Sequence, residues 1–338
     1  MNRISRQQNT SQGASLPPDA QQDFGSLTEG YRRELLVHCY RILGSLEDAE
    51  DALQETLITA WQHFDTLRSQ ASLRAWLYKI ATNLCLNMLT SRKARGLPTA
   101  RTKPADPRDP LQAPILESVW LEPLPDEYVA GVIASPEAYY DTKESVALAF
   151  LAVLQLLPGR QRAILILRDV LGWSVAEVGG ILDQSVPAVN SALQRARATL
   201  KNHYDKREQQ TVSDDEWEAS VLARFVQAWE TSDSAGLVAL LREDAILTMT
   251  PLPGWYRGRD SIGEFLASQL FAEKQLRVIP IRANGCPALA SYQRNAAGVY
   301  RPGAILIITL EVGQIVQVDD FLALDDQLFL RFNLPLSL

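Results

Sequence analysis

Cysteine and histidine are scarce in this chain of 338 residues, with three of each. Cys39, Cys85 and Cys286 stand far apart without paired metal-ligand spacing, so each reads as a small core hydrophobe in preference to a redox group. No apolar run reaches the roughly 18 residues of a membrane span, so none is expected. The opening stretch MNRISRQQNTSQGASLPPDAQQDFG is polar and lacks the apolar centre of a secretory leader, so the sequence predicts a disordered tail over 1–26 and a cytoplasmic chain. Internal repeats are absent. The last histidine is His203, so the chain beyond it lacks the commonest general base.

The net charge of −7 argues against a simple nucleic-acid binder, but its distribution does not. Residues 31–95 carry 9 basic and 7 acidic side chains, and residues 145–207 carry 8 and 4. Residues 96–144 hold 4 against 9, and 211–338 hold 10 against 16. Two mildly basic segments are thus joined to an acidic linker and an acidic C-terminal part, as expected if only part of the chain meets phosphate.

Apolar residues recur at the helical period from about Tyr31 to Arg95, as in Ala49, Leu53, Leu57, Ala60 and Phe64, or Leu73, Leu77, Ile80 and Leu84. Trp76 lies on the second stripe and is read as core in preference to a stacking surface. The Pro-rich stretch GLPTARTKPADPRDPLQAP follows and is read as a linker. Within that linker, VWLEPLPDEY is too apolar for a pure spacer and is expected to pack on something. Helical pattern resumes at about Thr142 and runs to Tyr204. After Val212 one or two helices lead into β-branched runs, predicting an α+β unit over 213–338.

The strongest local signal is WSVAEVGGILDQSVPAVNSALQRARATLK. Ser174 and Glu177 form a capping box, Asp183-Gln184-Ser185 supplies a turn, and Pro187 suits the first turn of a second helix, a helix-turn-helix over 174–200. Val189, Leu193, Ala196 and Leu200 make its buried stripe. The other face offers Asn190, Ser191, Gln194, Arg195 and Lys201, with Arg197 at the margin. Short polar groups at such a helix start can reach base edges while the later cations follow phosphates. An ordinary helical hairpin with a solvated face would have the same pattern.

Taken together, residues 27–204 resemble the extracytoplasmic-function group of the sigma-70 family of RNA polymerase sigma factors. Region 2 is seen as GSLEDAEDALQETLITAW and SLRAWLYKIATNLCLNML over 27–95; region 4 is seen as LQLLPGRQRAILILRDVLGWSVAEVGGIL and the helix-turn-helix over 142–206, with a linker at 96–141. The resemblance implies two all-α domains, a cytoplasmic protein without catalysis or cofactor, and two partners: promoter DNA and core RNA polymerase, met at the clamp of the beta-prime subunit and the beta flap. Asp48, Asp51, Gln54 and Glu55 would dock to the polymerase. Arg68, Arg74, Tyr78, Lys79, Asn83, Asn87 and Arg92, with Thr82 beside them, would meet the −10 element. Ser185, Pro187, Ala188, Asn190, Ser191, Gln194, Arg195 and Arg197 would meet the −35 element. One departure is that Asn190 and Ala192 stand where many members have a Lys and an Arg, which predicts fewer phosphate contacts there.

Residues 216–334 resemble the SnoaL-like, NTF2-like fold, in which helices precede a curved sheet that forms a cone. Some extracytoplasmic-function sigma factors carry this domain together with a linker motif like WLEPLP, which implies control in cis. Related folds include enzymes, so Asp244, Asp260, Asp319 and Asp320 are candidate bases and Tyr256, Tyr292 and Tyr300 candidate donors, though each also reads as a cap, turn or solvated residue. Trp255, Tyr256 and Arg257 could line a small-ligand pocket or form an interface. The alternative reading is a one-component regulator whose C-terminal domain binds or converts a small ligand. A free-standing helix-turn-helix repressor would leave the DALQE helix unexplained.

Overall fold

Gly44 and Ser45 separate the first two long helices. Helix α2 (Arg32–Leu43) ends where Gly44 takes a left-handed φ of +73°, and the Ser45 hydroxyl then caps α3 (Leu46–Gln62) by accepting from the Asp48 amide. Helix α4 (Leu73–Thr90) completes the bundle, burying Leu73, Leu77, Ala81 and Cys85 at four-residue spacing. This computed structural model describes residues 18–67, 69, 72–130, 144–204, 215–271 and 275–338. Helix α1 (Pro18–Glu29) corrects part of the tail expectation. Its Phe24 packs edge-on against Trp61 and Phe64, with ring centroids 5.6 and 5.3 Å away. One aromatic in a polar helix gives little periodicity, so only the tertiary contact reveals it. Residues 1–17 of that expected tail lie outside the described residues.

The second helical unit contains α6 (Leu148–Leu154), α7 (Gly159–Leu165), α8 (Val175–Leu182) and α9 (Val186–Tyr204), preceded by the short linker helix α5 (Glu127–Ala130). Beyond Leu165 the chain widens into a π turn over Ile166–Val170. Residues 131–143, the end of the linker and the start of this unit, lie outside the described residues.

Residues 96–130 of the linker form an ordered strap. Ala105 and Ile115 donate their amides to the carbonyls of Trp255 and Pro251, and Thr102 donates its hydroxyl to the Pro253 carbonyl. Leu121 and Leu124 of the WLEPLP stretch are buried, as their apolar character required.

In the C-terminal domain α10 (Asp215–Glu230), α11 (Ser234–Val238) and α12 (Arg259–Phe265) cover one face of a six-stranded sheet. The strands are β1 (Leu241–Thr250), β2 (Trp255–Arg257), β3 (Leu276–Ala283), β4 (Cys286–Arg294), β5 (Tyr300–Glu311) and β6 (Gln314–Leu322), in the order β2-β1-β6-β5-β4-β3. Only β1 and β6 run parallel. Irregular register in β1, β4 and β5 bends the sheet, as the SnoaL-like expectation required. Leu306 and Ile308 point to the helices, whereas Ile305 and Ile307 join the core that continues into the helical units. A strand covered on both faces reads as the unbroken apolar run AILIITL. The short helix α13 (Gln327–Arg331) and the chain end complete this second layer, with Phe329 edge-on to Tyr292.

Candidate nucleic-acid interface

The helix-turn-helix forms as its caps dictate. The Ser174 hydroxyl accepts from the Glu177 amide while the Glu177 carboxylate accepts from the Ser174 amide, and these bonds hold that carboxyl below its ordinary range. Asp183 takes a left-handed φ of 52° at the turn, and Ser185 caps α9. Ser185, Pro187, Ala188, Asn190, Ser191, Gln194, Arg195 and Arg197 are all exposed, while Val189, Leu193 and Ala196 are buried. Arg197 is held by Asp169 through two bonds of 2.9 and 2.6 Å. Ala192 is buried, so its position does not share the exposed face of Asn190.

The α4 surface is less open. Lys79 donates to Asp183 at 2.6 Å and reaches the Gly180 carbonyl at 3.4 Å, so α8 and its turn sit on this face. Asn83 is half-buried and Asn87 exposed. Arg74 is forked onto Glu34 and lies over the rings of Tyr78 and Trp173. Tyr78 and Thr82 do not belong to an exposed face, contrary to expectation: both are 0 % exposed. Tyr78 packs between His38 and Trp173, and Thr82 is hydrogen-bonded to His38 at 2.8 Å. Their helical positions lie on the seam toward α2, where rings and methyl groups are most stably placed. Arg68 lies outside the described residues.

On α3, Asp51, Gln54 and Glu55 are exposed, as the acidic-face reading requires. Asp48 departs from that stripe. It is 7 % exposed and paired with both Arg92 and Arg95, which also draws Arg92 away from a free DNA-facing role. A buried carboxylate needs such partners.

Two residues tie the units together. The Glu122 carboxylate accepts from the Ser45 hydroxyl and the Leu46 amide at the start of α3, and is paired with Arg95 and with Arg331 of α13. Asn284 and Gly285 both have positive φ at the β3–β4 turn, where the pair Ala283 and Cys286 closes the hairpin. The Asn284 amide donates to the Tyr40 hydroxyl at 2.8 Å and to the Val146 carbonyl at 2.7 Å, and its oxygen accepts from the Leu124 amide at 2.8 Å. One buried side chain thereby joins the first helical unit, the linker and the entry to the second. An Asn-Gly pair between apolar runs signals a tight hairpin, but nothing local says which partners its amide will meet.

Within the C-terminal domain the interface alternative accounts for Trp255, whose indole donates to the Thr102 carbonyl of the linker. Tyr256 stacks on Phe265 in the core and Arg257 is exposed. Asp319 accepts from Thr248 and Gln317, and both Asp319 and Asp320 are buried, so neither is the solvated residue one reading allowed. Asp244 is exposed and paired with Arg242, and Asp260 is exposed in the first turn of α12. The Tyr292 hydroxyl donates to the Pro335 carbonyl, and Arg277 lies over the Tyr300 ring.

Residues 27–95 match the family model for Sigma-70 region 2, and residues 147–200 match that for Sigma-70 region 4. The chain is similar to the ECF RNA polymerase sigma factor SigG of Mycobacterium tuberculosis (strain CDC 1551 / Oshkosh), at 44% identity over 320 residues, covering 94% of this chain and 85% of that one. It is also similar to the ECF RNA polymerase sigma factor SigM of M. tuberculosis (strain ATCC 25618 / H37Rv), at 31% identity over 177 residues, 52% of this chain and 74% of that one. Among solved structures, the M. tuberculosis extracytoplasmic function sigma factor SigJ shares the fold with a TM-score of 0.58 and 23% identity, over 94% of this chain and 99% of that one. With both conserved regions matched in order and the likeness to SigG running into the C-terminal domain, this chain belongs to the extracytoplasmic-function group of sigma-70 RNA polymerase sigma factors.

Proposed function

We propose that this sigma factor is a non-catalytic promoter-specificity subunit, acting in the cytoplasm and held closed by its own C-terminal domain until polymerase and promoter engage it. The exposed stripe Asp51, Gln54 and Glu55 would dock to the clamp of the beta-prime subunit, with region 4 at the beta flap. Asn83, Asn87 and Lys79 would read the −10 element, and the exposed start of α9 the −35 element.

The observation that carries the closed form is the seating of region 4 on region 2. Lys79 of the −10 surface is bonded to the turn of the −35 reader. Both surfaces cannot meet DNA elements more than two helical turns apart while touching each other, so they must separate. Asn284 and Glu122 favour the closed form, because each spans the units that would move.

The test is transcription with purified core polymerase on promoter fragments. The full chain is expected to confer start-site selectivity. Asn284→Gly keeps the turn conformation and deletes the bridging amide, so its transcript yield should exceed that of the parent chain. A chain that confers no selectivity overturns the specificity reading; an unchanged yield for the variant overturns the cis hold.

A further inference from the structure

At the centre of the closed contact lies a cation without a counter-charge among the described residues. Arg41 of α2 is 1 % exposed. Its Nη2 donates to the Ser145 hydroxyl, at the entry to region 4, over 2.7 Å. Its Nε and Nη1 have no acceptor, and no carboxylate pairs with it among the described residues. Burial pulls the guanidinium down to about 10, which leaves it charged at neutral pH.

The surroundings leave further polar atoms unsatisfied. The Tyr78 hydroxyl, His38 Nδ1 and Trp173 Nε1 are buried without partners, and the Tyr78 ring lies edge-on to His38 and tilted against Trp173. Arg162 provides the contrast at the same boundary. It too is buried, but it donates to the carbonyls of Ile42, Gln155 and Leu157 and to the Gln155 side chain. Among the described residues Arg162 also lacks a carboxylate and leaves its Nε unpartnered, but its other nitrogens stitch α7 to α2, whereas Arg41 has one bond.

We propose that Arg41 is the release element of the closed form: an uncompensated cation that region 4 strips of water when it seats on region 2, keeping the closed state only marginally preferred. Burying a charge without a partner opposes the contact that buries it. Separation carries Ser145 and Trp173 away and returns the two unpaired nitrogens to solvent. The remaining closed contacts, among them Lys79 with Asp183, Arg162 with the Ile42 carbonyl and the Asn284 bridges, act against this release. The inference rests on the closed-to-open reading above.

The position of Ser145 gives a direct test, because an aspartate there would supply the missing carboxylate across the interface and only in the closed form. In the full chain, dyes are placed at positions 90 and 202 through unnatural amino acids, and the open fraction is read by energy transfer. Ser145→Asp is expected to lower the open fraction at least tenfold, and Arg41→Met to lower it as well. Combining them should restore or exceed the parent value, since a carboxylate is then buried alone. An open fraction that is unchanged or raised in Ser145→Asp overturns the proposal, and this variant decides the matter if Arg41→Met does not fold. Core-dependent transcription by the same variants separates the two readings. If Ser145→Asp closes the chain but leaves transcription unchanged, the requirement for opening fails while the role of Arg41 stands.

Discussion

His38 shows how one buried side chain couples this fold to pH. Desolvation, with Arg41 and then Arg74 nearby, lowers its pKa to about 3, against an ordinary value near 6.5. The folded chain therefore keeps the imidazole neutral where the unfolded chain would protonate it. Its contribution to stability is present above about pH 6.5 and is lost as pH falls toward 3, at up to about 1.4 kcal/mol per pH unit. His38→Gln can retain a bond to Thr82 and should flatten the loss by about one proton between roughly pH 6 and pH 5, read from urea unfolding at several pH values. Asp51 and Glu55 are both exposed. Reversing both charges, Asp51→Lys with Glu55→Lys, should change stability by no more than about 0.5 kcal/mol per site and still weaken retention by core polymerase. Equal retention in a pull-down would remove the docking assignment.

At the scale of elements, α9 separates into contributions that sequence and structure assign alike. The exposed Asn190 is placed to meet a base edge, so Asn190→Ala should relax specificity at one −35 position by about 1–3 kcal/mol. Arg195 lies further along the exposed face, so Arg195→Ala should weaken binding evenly across sequences and reduce the salt slope by about 1. Anisotropy titrations over several salt concentrations, with core polymerase present, distinguish the two outcomes. This helix was legible because capping, turn and period are local signals. The strands β2 and β4 carry little local signal: β2 has three residues, and β4 contains Pro287, two alanines and a serine. Their assignment comes from neighbours, as β4 pairs with β3 and β5 along most of its length.

For the whole molecule, the closed arrangement predicts a handicap in binding DNA alone. A chain whose competent state is a minor fraction binds with an affinity reduced by that fraction. Free protein should therefore bind a −10/−35 fragment at least about tenfold more weakly than does its complex with core polymerase, as measured by anisotropy at one salt concentration. Comparable affinities would mean that the closed form does not limit access.

The sequence by itself determined the two helical units, the helix-turn-helix and its exposed residues, the acidic stripe at Asp51 and Glu55, and the order of helices before sheet. Those features rest on periodicity and capping, which act over a few residues. Only the tertiary structure decided that Tyr78 and Asp48 are buried, that Lys79 faces Asp183, and that Asn284 and Glu122 join units far apart in the chain. Such contacts depend on where one folded surface meets another, and a polar residue carries the same local signature whether its partner is water or a distant carbonyl.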